Sequence, residues 1–72
     1  MQNLVSMNEL SKLLDINKAT LSYYFKLGII KPTIIVGRMY LFDKKEIIPH
    51  LKEIKKLIKA GKKLKEIKEI IL

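Results

Sequence analysis

Asn17-Lys18-Ala19-Thr20-Leu21-Ser22-Tyr23-Tyr24-Phe25-Lys26-Leu27-Gly28 is the segment on which the reading of this chain turns. Asn17 suits an N-cap, because its short side chain can accept a bond from a backbone N–H left without a partner in the first helical turn. Gly28 suits a stop, since it takes the left-handed conformation at no Cβ cost. The spacing between them predicts a helix from about Lys18 to Leu27 with two faces. Leu21, Tyr24, Leu27 and part of Phe25 form the apolar one. Lys18, Ala19, Ser22, Tyr23 and Lys26 form the other, which carries two cations, a hydroxyl, a phenol and one small side chain. Such a face suits a helix laid in a DNA major groove, where short side chains allow close approach and polar ones reach bases or phosphates. It equally describes a solvated amphipathic helix, so the neighbouring segments decide.

Upstream, Ser6-Met7-Asn8-Glu9 reads as a capping box. It predicts a helix from about Met7 to Leu14 that buries Leu10, Leu13 and Leu14. Asp15-Ile16-Asn17 is a tight connector. Asp tolerates the left-handed conformation of a sharp helix–helix turn, and Ile16 can plug the corner. Two short helices joined in this way form a helix-turn-helix, residues 7–27.

Downstream, Pro32 biases Lys31 to an extended conformation, so no helix continues past Gly28. Thr33-Ile34-Ile35-Val36 reads as a strand, Gly37-Arg38 as the turn, and Met39-Tyr40-Leu41-Phe42 as a second strand. The expected product is a two-stranded β-hairpin, or wing, over residues 31–42. Arg38 stands near its tip and Leu41 or Phe42 is the inward anchor. Asp43-Lys44-Lys45-Glu46 is another capping box and opens a third helix with an apolar stripe of Ile47, Leu51, Ile54, Leu57 and Ile58. Pro49 predicts a kink there, or a separate first turn. Gly61 ends that helix, and Leu64, Ile67, Ile70, Ile71 and Leu72 fall on a fourth. The fold class is therefore mostly α: a winged helix-turn-helix with about four helices, in one domain spanning 1–72.

The 72 residues include no cysteine, which excludes disulfides and thiolate metal sites. A core this small is marginal without such staples, so stability rests on packed Ile and Leu and on any partner chain. No apolar run approaches a membrane span, and the start of the chain does not read as a signal peptide. The expected location is cytoplasmic. The net charge of +8 and a pI near 9.8 mark a strongly basic protein with an anionic partner, nucleic acid first. Residues 1–43 carry five basic and three acidic side chains, and residues 44–72 carry ten and four. The C-terminal half supplies most of the field, while the N-terminal half has the more informative chemistry.

No catalytic constellation is visible. His50 has no second histidine or cysteine with which to build a metal or nucleophile site. Glu53, Glu66 and Glu69 lie among lysines at helical spacing, which describes a solvated face. No glycine-rich loop cradles phosphate. The chain does not read as an enzyme, and no cofactor or metal is expected. The lysines of 44–68 could track a DNA backbone, meet an anionic membrane or keep an Ile-rich chain in solution. Residues 44–72 lack Trp and Phe, so the membrane reading is disfavoured.

The order of elements, together with Thr20-Leu21-Ser22-Tyr23-Tyr24, Gly28-Ile29-Ile30 and Pro32, resembles the N-terminal DNA-binding domain of MerR-type transcription regulators over about residues 5–72. Met7 to Leu14 is similar to that family's first helix, Gly37 to Asp43 to its wing and third-helix cap, and Gly61 with Leu64-Lys65-Glu66-Ile67 to the end of its domain. Ser22 stands where the family usually has arginine. Tyr40 replaces the wing arginine, and Asp15 replaces a turn glycine. The family's long dimerisation helix and effector domain have no counterpart in these residues.

The resemblance implies sequence-specific duplex DNA binding by a small transcription regulator. The alternatives are an excisionase-like or architectural accessory factor, or a protein-interaction adaptor on the same fold. Lys18, Ala19, Ser22, Tyr23 and Lys26 are the expected major-groove residues. Thr33, Arg38 and Tyr40, with Lys31 at the base of the wing, are the expected contacts to flanking backbone or minor groove. The C-terminal cluster of Ile67, Ile70, Ile71 and Leu72 has two expected uses: it finishes the core, the favoured one, or it meets a second copy or a second protein.

Overall fold

The computed structural model describes residues 3–71, the side chain of Ile71 excepted. The elements are β1 (Leu4–Ser6), α1 (Met7–Leu14), α2 (Lys18–Lys26), β2 (Ile34–Val36), β3 (Met39–Asp43), α3 (Lys44–Lys59) and α4 (Leu64–Ile71).

The first helix starts where its capping box places it. Ser6 Oγ accepts from Glu9 N–H at 3.2 Å, and Ser6 N–H donates to Glu9 Oε1 at 3.0 Å. These bonds, the backbone one first, hold the Glu9 carboxyl below its usual range. Asp15 ends the helix with φ of 53°, in the left-handed region. Ser11 Oγ donates to the Ile16 carbonyl, which fixes the corner. Asn17 then caps α2, its Oδ1 accepting from Ala19 N–H at 2.8 Å. Each of the two turn residues thus uses a local preference of its own type.

The second and third helices end alike. At Gly28, φ is 79°, and the N–H groups of Gly28 and Ile29 donate to the Phe25 and Tyr24 carbonyls. At Gly61, φ is 90°, and the N–H groups of Gly61 and Lys62 donate to Ile58 and Leu57. Both are Schellman stops, which satisfy carbonyls that a helix end otherwise leaves open.

The hairpin is one strand richer than expected. The sheet has three antiparallel strands in the order β1-β3-β2. Val5 lies opposite Phe42, and Ile35 opposite Tyr40. Phe42 is the inward anchor, at 1% exposure. Thr33 lies just outside β2, yet its N–H still donates to the Leu41 carbonyl at 2.8 Å. At the tip Gly37 has φ of 62° while Arg38 keeps a negative φ. A two-residue loop with only its first position left-handed is the II′ hairpin turn, which favours glycine there.

Three further details bear on the sequence reading. Helix α3 runs as one element through Pro49, so the first turn is not separate from the main helix. The missing donor there belongs to the second turn, and burial of Ile47, Leu51 and Ile54 on the same helix offsets its loss. The Asp43 cap is a single bond from Lys45 N–H at 2.9 Å rather than a reciprocal box. Leu13 is exposed, because the buried face of α1 follows Met7, Leu10 and Leu14 and leaves Leu13 to one side.

One cluster forms the core: Val5, Leu10, Leu21, Tyr24, Ile29, Ile30, Phe42, Ile47, Leu51, Ile54 and Ile67. Every element except β2 contributes to it or borders it. Ile29 and Ile30 form its bridge, entering straight after the Schellman stop of α2. Burial pushes the Tyr24 phenol up from its ordinary range. Among the described residues no buried side-chain polar atom lacks a partner, and no helix is long and apolar enough to cross a membrane.

Candidate nucleic-acid interface

Helix α2 presents its polar face outward. At about 100° per residue, Lys18, Ser22, Lys26, Ala19 and Tyr23 fall within an arc of roughly 140°. Lys18, Ala19, Tyr23 and Lys26 are exposed, Tyr23 at 51%, while Ser22, inside the arc between Lys18 and Lys26, is half-buried. Leu21 and Tyr24, on the opposite side, are buried. The helix is therefore anchored by one face and free on the other.

Phe25 stands at the boundary between those faces. Its ring packs on Tyr40 of the wing, with centroids 4.7 Å apart and planes tilted by 45°. This contact sets the wing beside the polar face of α2. Tyr40 is half-buried by it, so its ring is a hinge pin between helix and wing. Thr33 has a structural bond of its own, its Oγ1 accepting from Asp43 N–H at 3.0 Å. That bond clasps the base of the wing. Lys31 and Arg38 are exposed at opposite ends of the wing. The structure thus brings all nine expected residues onto two adjacent elements, α2 and the wing, and gives Thr33 and Tyr40 packing work in addition.

His50 helps to hold this arrangement from behind. Its Nε2 donates to the Ile29 carbonyl at 2.8 Å, tying α3 to the segment that leaves α2. An acceptor carbonyl at that position selects the tautomer with the proton on Nε2. Lys68 of α4 also reaches this segment: a Cβ on Gly28 would lie 3.7 Å from its Cε and Nζ. Among the described residues no group of three or more His, Asp or Glu could hold a metal ion.

The charge of the interface has a pattern that counting lysines does not reveal. From Ile16 to Phe42 there are four cations (Lys18, Lys26, Lys31 and Arg38) and no carboxylate. Asp15 and Asp43 bracket that stretch, each occupied at a helix end. An uninterrupted 27-residue absence of Asp and Glu in a chain with seven of them coincides with α2 and the wing. Locating the acids, rather than the bases, marks out α2 and the wing as the candidate surface.

Two helices at a tight turn, followed by a hairpin packed on the second helix, define a winged helix-turn-helix. A family model described as MerR HTH family regulatory protein matches residues 5–72. The chain belongs to that family, whose members are DNA-binding transcription regulators. Searches of curated proteins and of solved structures returned no match.

Proposed function

We propose that this chain is a sequence-specific duplex DNA-binding regulator. It lays α2 in the major groove through Lys18, Ala19, Ser22, Tyr23 and Lys26. The wing reaches the flanking backbone or minor groove with Lys31, Thr33, Arg38 and Tyr40. The observation that carries this reading is the acid-free stretch from Ile16 to Phe42, which lies along the exposed face of α2 and the adjoining wing. Within that stretch a polyanion meets no like charge, and the nearest carboxylates stand at the wing base, where Asp43 and Glu46 line the same hollow as Lys31 and Thr33. Ser22 and Tyr23 are the residues with polar groups suited to base edges, and the lysines position the helix on phosphates. The lysines of α3 and α4 add long-range attraction and on-rate more than sequence preference. The chain acts in the cytoplasm and uses no cofactor.

A single winged domain covers a short site, and useful specificity calls for two half-sites. The C-terminal cluster is the surface proposed for a second copy. Ile67 is fully buried in the core, whereas Ile70 is 55% exposed and free for such a contact. The Ile71 side chain and Leu72 lie outside the described residues. A sedimentation run at high concentration that shows only monomer, both free and on DNA, removes the dimer.

The deciding experiment is a two-dimensional NMR titration of labelled protein with a mixed-sequence duplex at moderate salt. Shifts concentrated at residues 18–26 and 31–40 are the expected result. Shifts confined to lysines of 44–68 would defeat the proposal and indicate generic charge or an adaptor role. With roughly five phosphates neutralised, log K should fall against log salt with a slope of about −4 to −5.

A further inference from the structure

The sheet ends in an apolar tip and an open edge. In the order β1-β3-β2, strand β2 is paired on one side only. Val36 and Met39 flank the two-residue loop, and a pair in that position exchanges both backbone bonds. By alternation Ile34 also turns its bonds toward β3, and Ile35 turns its N–H and C=O outward. The side chains at this edge are bare: Ile35, Val36 and Met39 are 57%, 58% and 55% exposed. Ile34, Val36, Met39 and Leu41 share the face of the sheet opposite to the buried Phe42. Edge strands are normally blunted by a charge, a proline or a covering element, and Ile34-Ile35-Val36 has neither charge nor proline.

We infer that β2 pairs antiparallel with β2 of a second copy about a two-fold axis at Ile35, joining two three-stranded sheets into one. Centring the pair on Ile35 lets its outward N–H and C=O exchange bonds with those of the other Ile35. The same register sets Val36 beside Ile34 of the second copy on the apolar face, and Ile35 against its own counterpart on the other face.

Charge selects a second copy as the occupant. Antiparallel pairing brings the tip of each wing to the base of the other. Continued past the strand ends, the register puts Arg38 opposite Pro32 of the second copy, close to the hollow that Asp43 and Glu46 line. Asp43 already caps α3, so the exposed Glu46 is the carboxylate left to receive the guanidinium. The one arginine of the chain and this carboxylate thus lie at opposite ends of the edge, as a two-fold pair requires. Lys31 shares the hollow, so the contact fixes register more than it adds affinity. Arg38 meets either this carboxylate or a phosphate, so the pair belongs to the free protein and stands apart from any contact through Ile70. A three-residue edge covers less than the roughly 1,200 Å² of a standard interface, so the pair is weak and reversible.

The test is sedimentation equilibrium of the free protein up to millimolar concentration, without nucleic acid, in salt that screens the +8 on each copy. Wild type should show a monomer–dimer equilibrium. I35K places a charge on the edge and should weaken it about tenfold or more, whereas I70K should leave it unchanged. R38E and E46R should each weaken it by roughly fivefold, and their equimolar mixture should recover wild-type association, because opposite charges then meet at both contacts. Monomer alone, or loss of the dimer in I70K rather than I35K, overturns the inference. A mixture no better than its parts does so too. If the free protein stays monomeric and I35K instead weakens duplex binding, the edge belongs to DNA and the inference is again overturned. Filtered NOEs in a mixture of labelled and unlabelled wild type need no variant to fold. Contacts between Ile34 of one copy and Val36 of the other support the pairing, and their absence from a sample that sediments as dimer overturns it.

Discussion

Residues 16–42 hold four cations and no carboxylate, while residues 44–72 hold ten lysines spaced by four glutamates. The second stretch has the larger net charge and the weaker message. Its lysines lie on α3, on α4 and in the turn between them, and four of them (Lys56, Lys62, Lys63 and Lys65) have a glutamate three or four residues away that moderates them. The first stretch has fewer charges, but it mixes them with a phenol, a hydroxyl and an apolar tip on elements joined by the Phe25–Tyr40 ring contact. Charge density alone attracts any polyanion. A small number of charges on a shaped surface, cleared of acids, can choose among polyanions.

If the two stretches are distinct parts of one cooperative body, the largest effect comes from breaking that cooperation. Phe42 joins them, buried between the sheet and α3. Phe42→Ala should cost about 3–5 kcal/mol, and amide signals from α2 and from α4 should be lost at one denaturant midpoint. Two separated midpoints would show that the halves fold independently. Next in size is the division of labour on DNA. Tyr23→Ala should weaken binding to a preferred site by about 1–3 kcal/mol with melting temperature unchanged. Replacing Lys52, Lys56 and Lys59 by Gln should weaken all duplexes alike and lower the salt slope. A change of site preference in the lysine variant would erase the distinction.

Smaller again is a contrast between two helix ends. Gly28→Ala and Gly61→Ala each place a Cβ at positive φ and should destabilise by about 1–2 kcal/mol in urea titrations. Because a Cβ at Gly28 meets Lys68 only at ordinary van der Waals distance, the two costs should agree. A clearly larger cost at Gly28 would show that α4 braces the end of α2. The smallest effect is at Glu9. Its folded carboxyl is held below its usual range by the Ser6 bonds, so the cap contributes above the unfolded pKa and is lost as pH falls through the folded one. Acid titration should lose stability through this group below about pH 4, and Glu9→Gln should flatten that part of the curve.

Much of the fold could be read from short-range chemistry. Ser6, Asp15, Asn17, Gly28, Gly37 and Gly61 each sit at a boundary that their own side chain, or lack of one, explains. These signals lie within a few residues of the structure they determine. The elements that escaped are those decided at a distance. Leu4-Val5-Ser6 is too short to show alternation, and it is a strand only because β3 pairs with it. Pro49 allowed a separate first turn, but packing of Ile47, Leu51 and Ile54 keeps α3 one helix against a local penalty. Leu13 looked like core because leucine at helical spacing usually is, and only the direction of the buried face excludes it. At the candidate interface, all nine residues named from sequence fall on α2 and the wing, with Ser22 and Tyr40 half-buried. What counting missed was the missing acids, and the second use of Thr33 and Tyr40 as clasp and hinge pin.

The pairing of β1 with β3 also bears on the order in which the molecule assembles. Contacts within α1, the turn and α2 are local, and such contacts form early. The sheet closes only when Val5 meets Phe42, at opposite ends of the N-terminal part of the chain. A chain emerging from a ribosome would therefore complete its helix-turn-helix before its wing. The wing would acquire its fixed angle to α2 in a late, slower step. A nascent chain arrested before residue 42 would have its recognition helix but no anchored wing beside it.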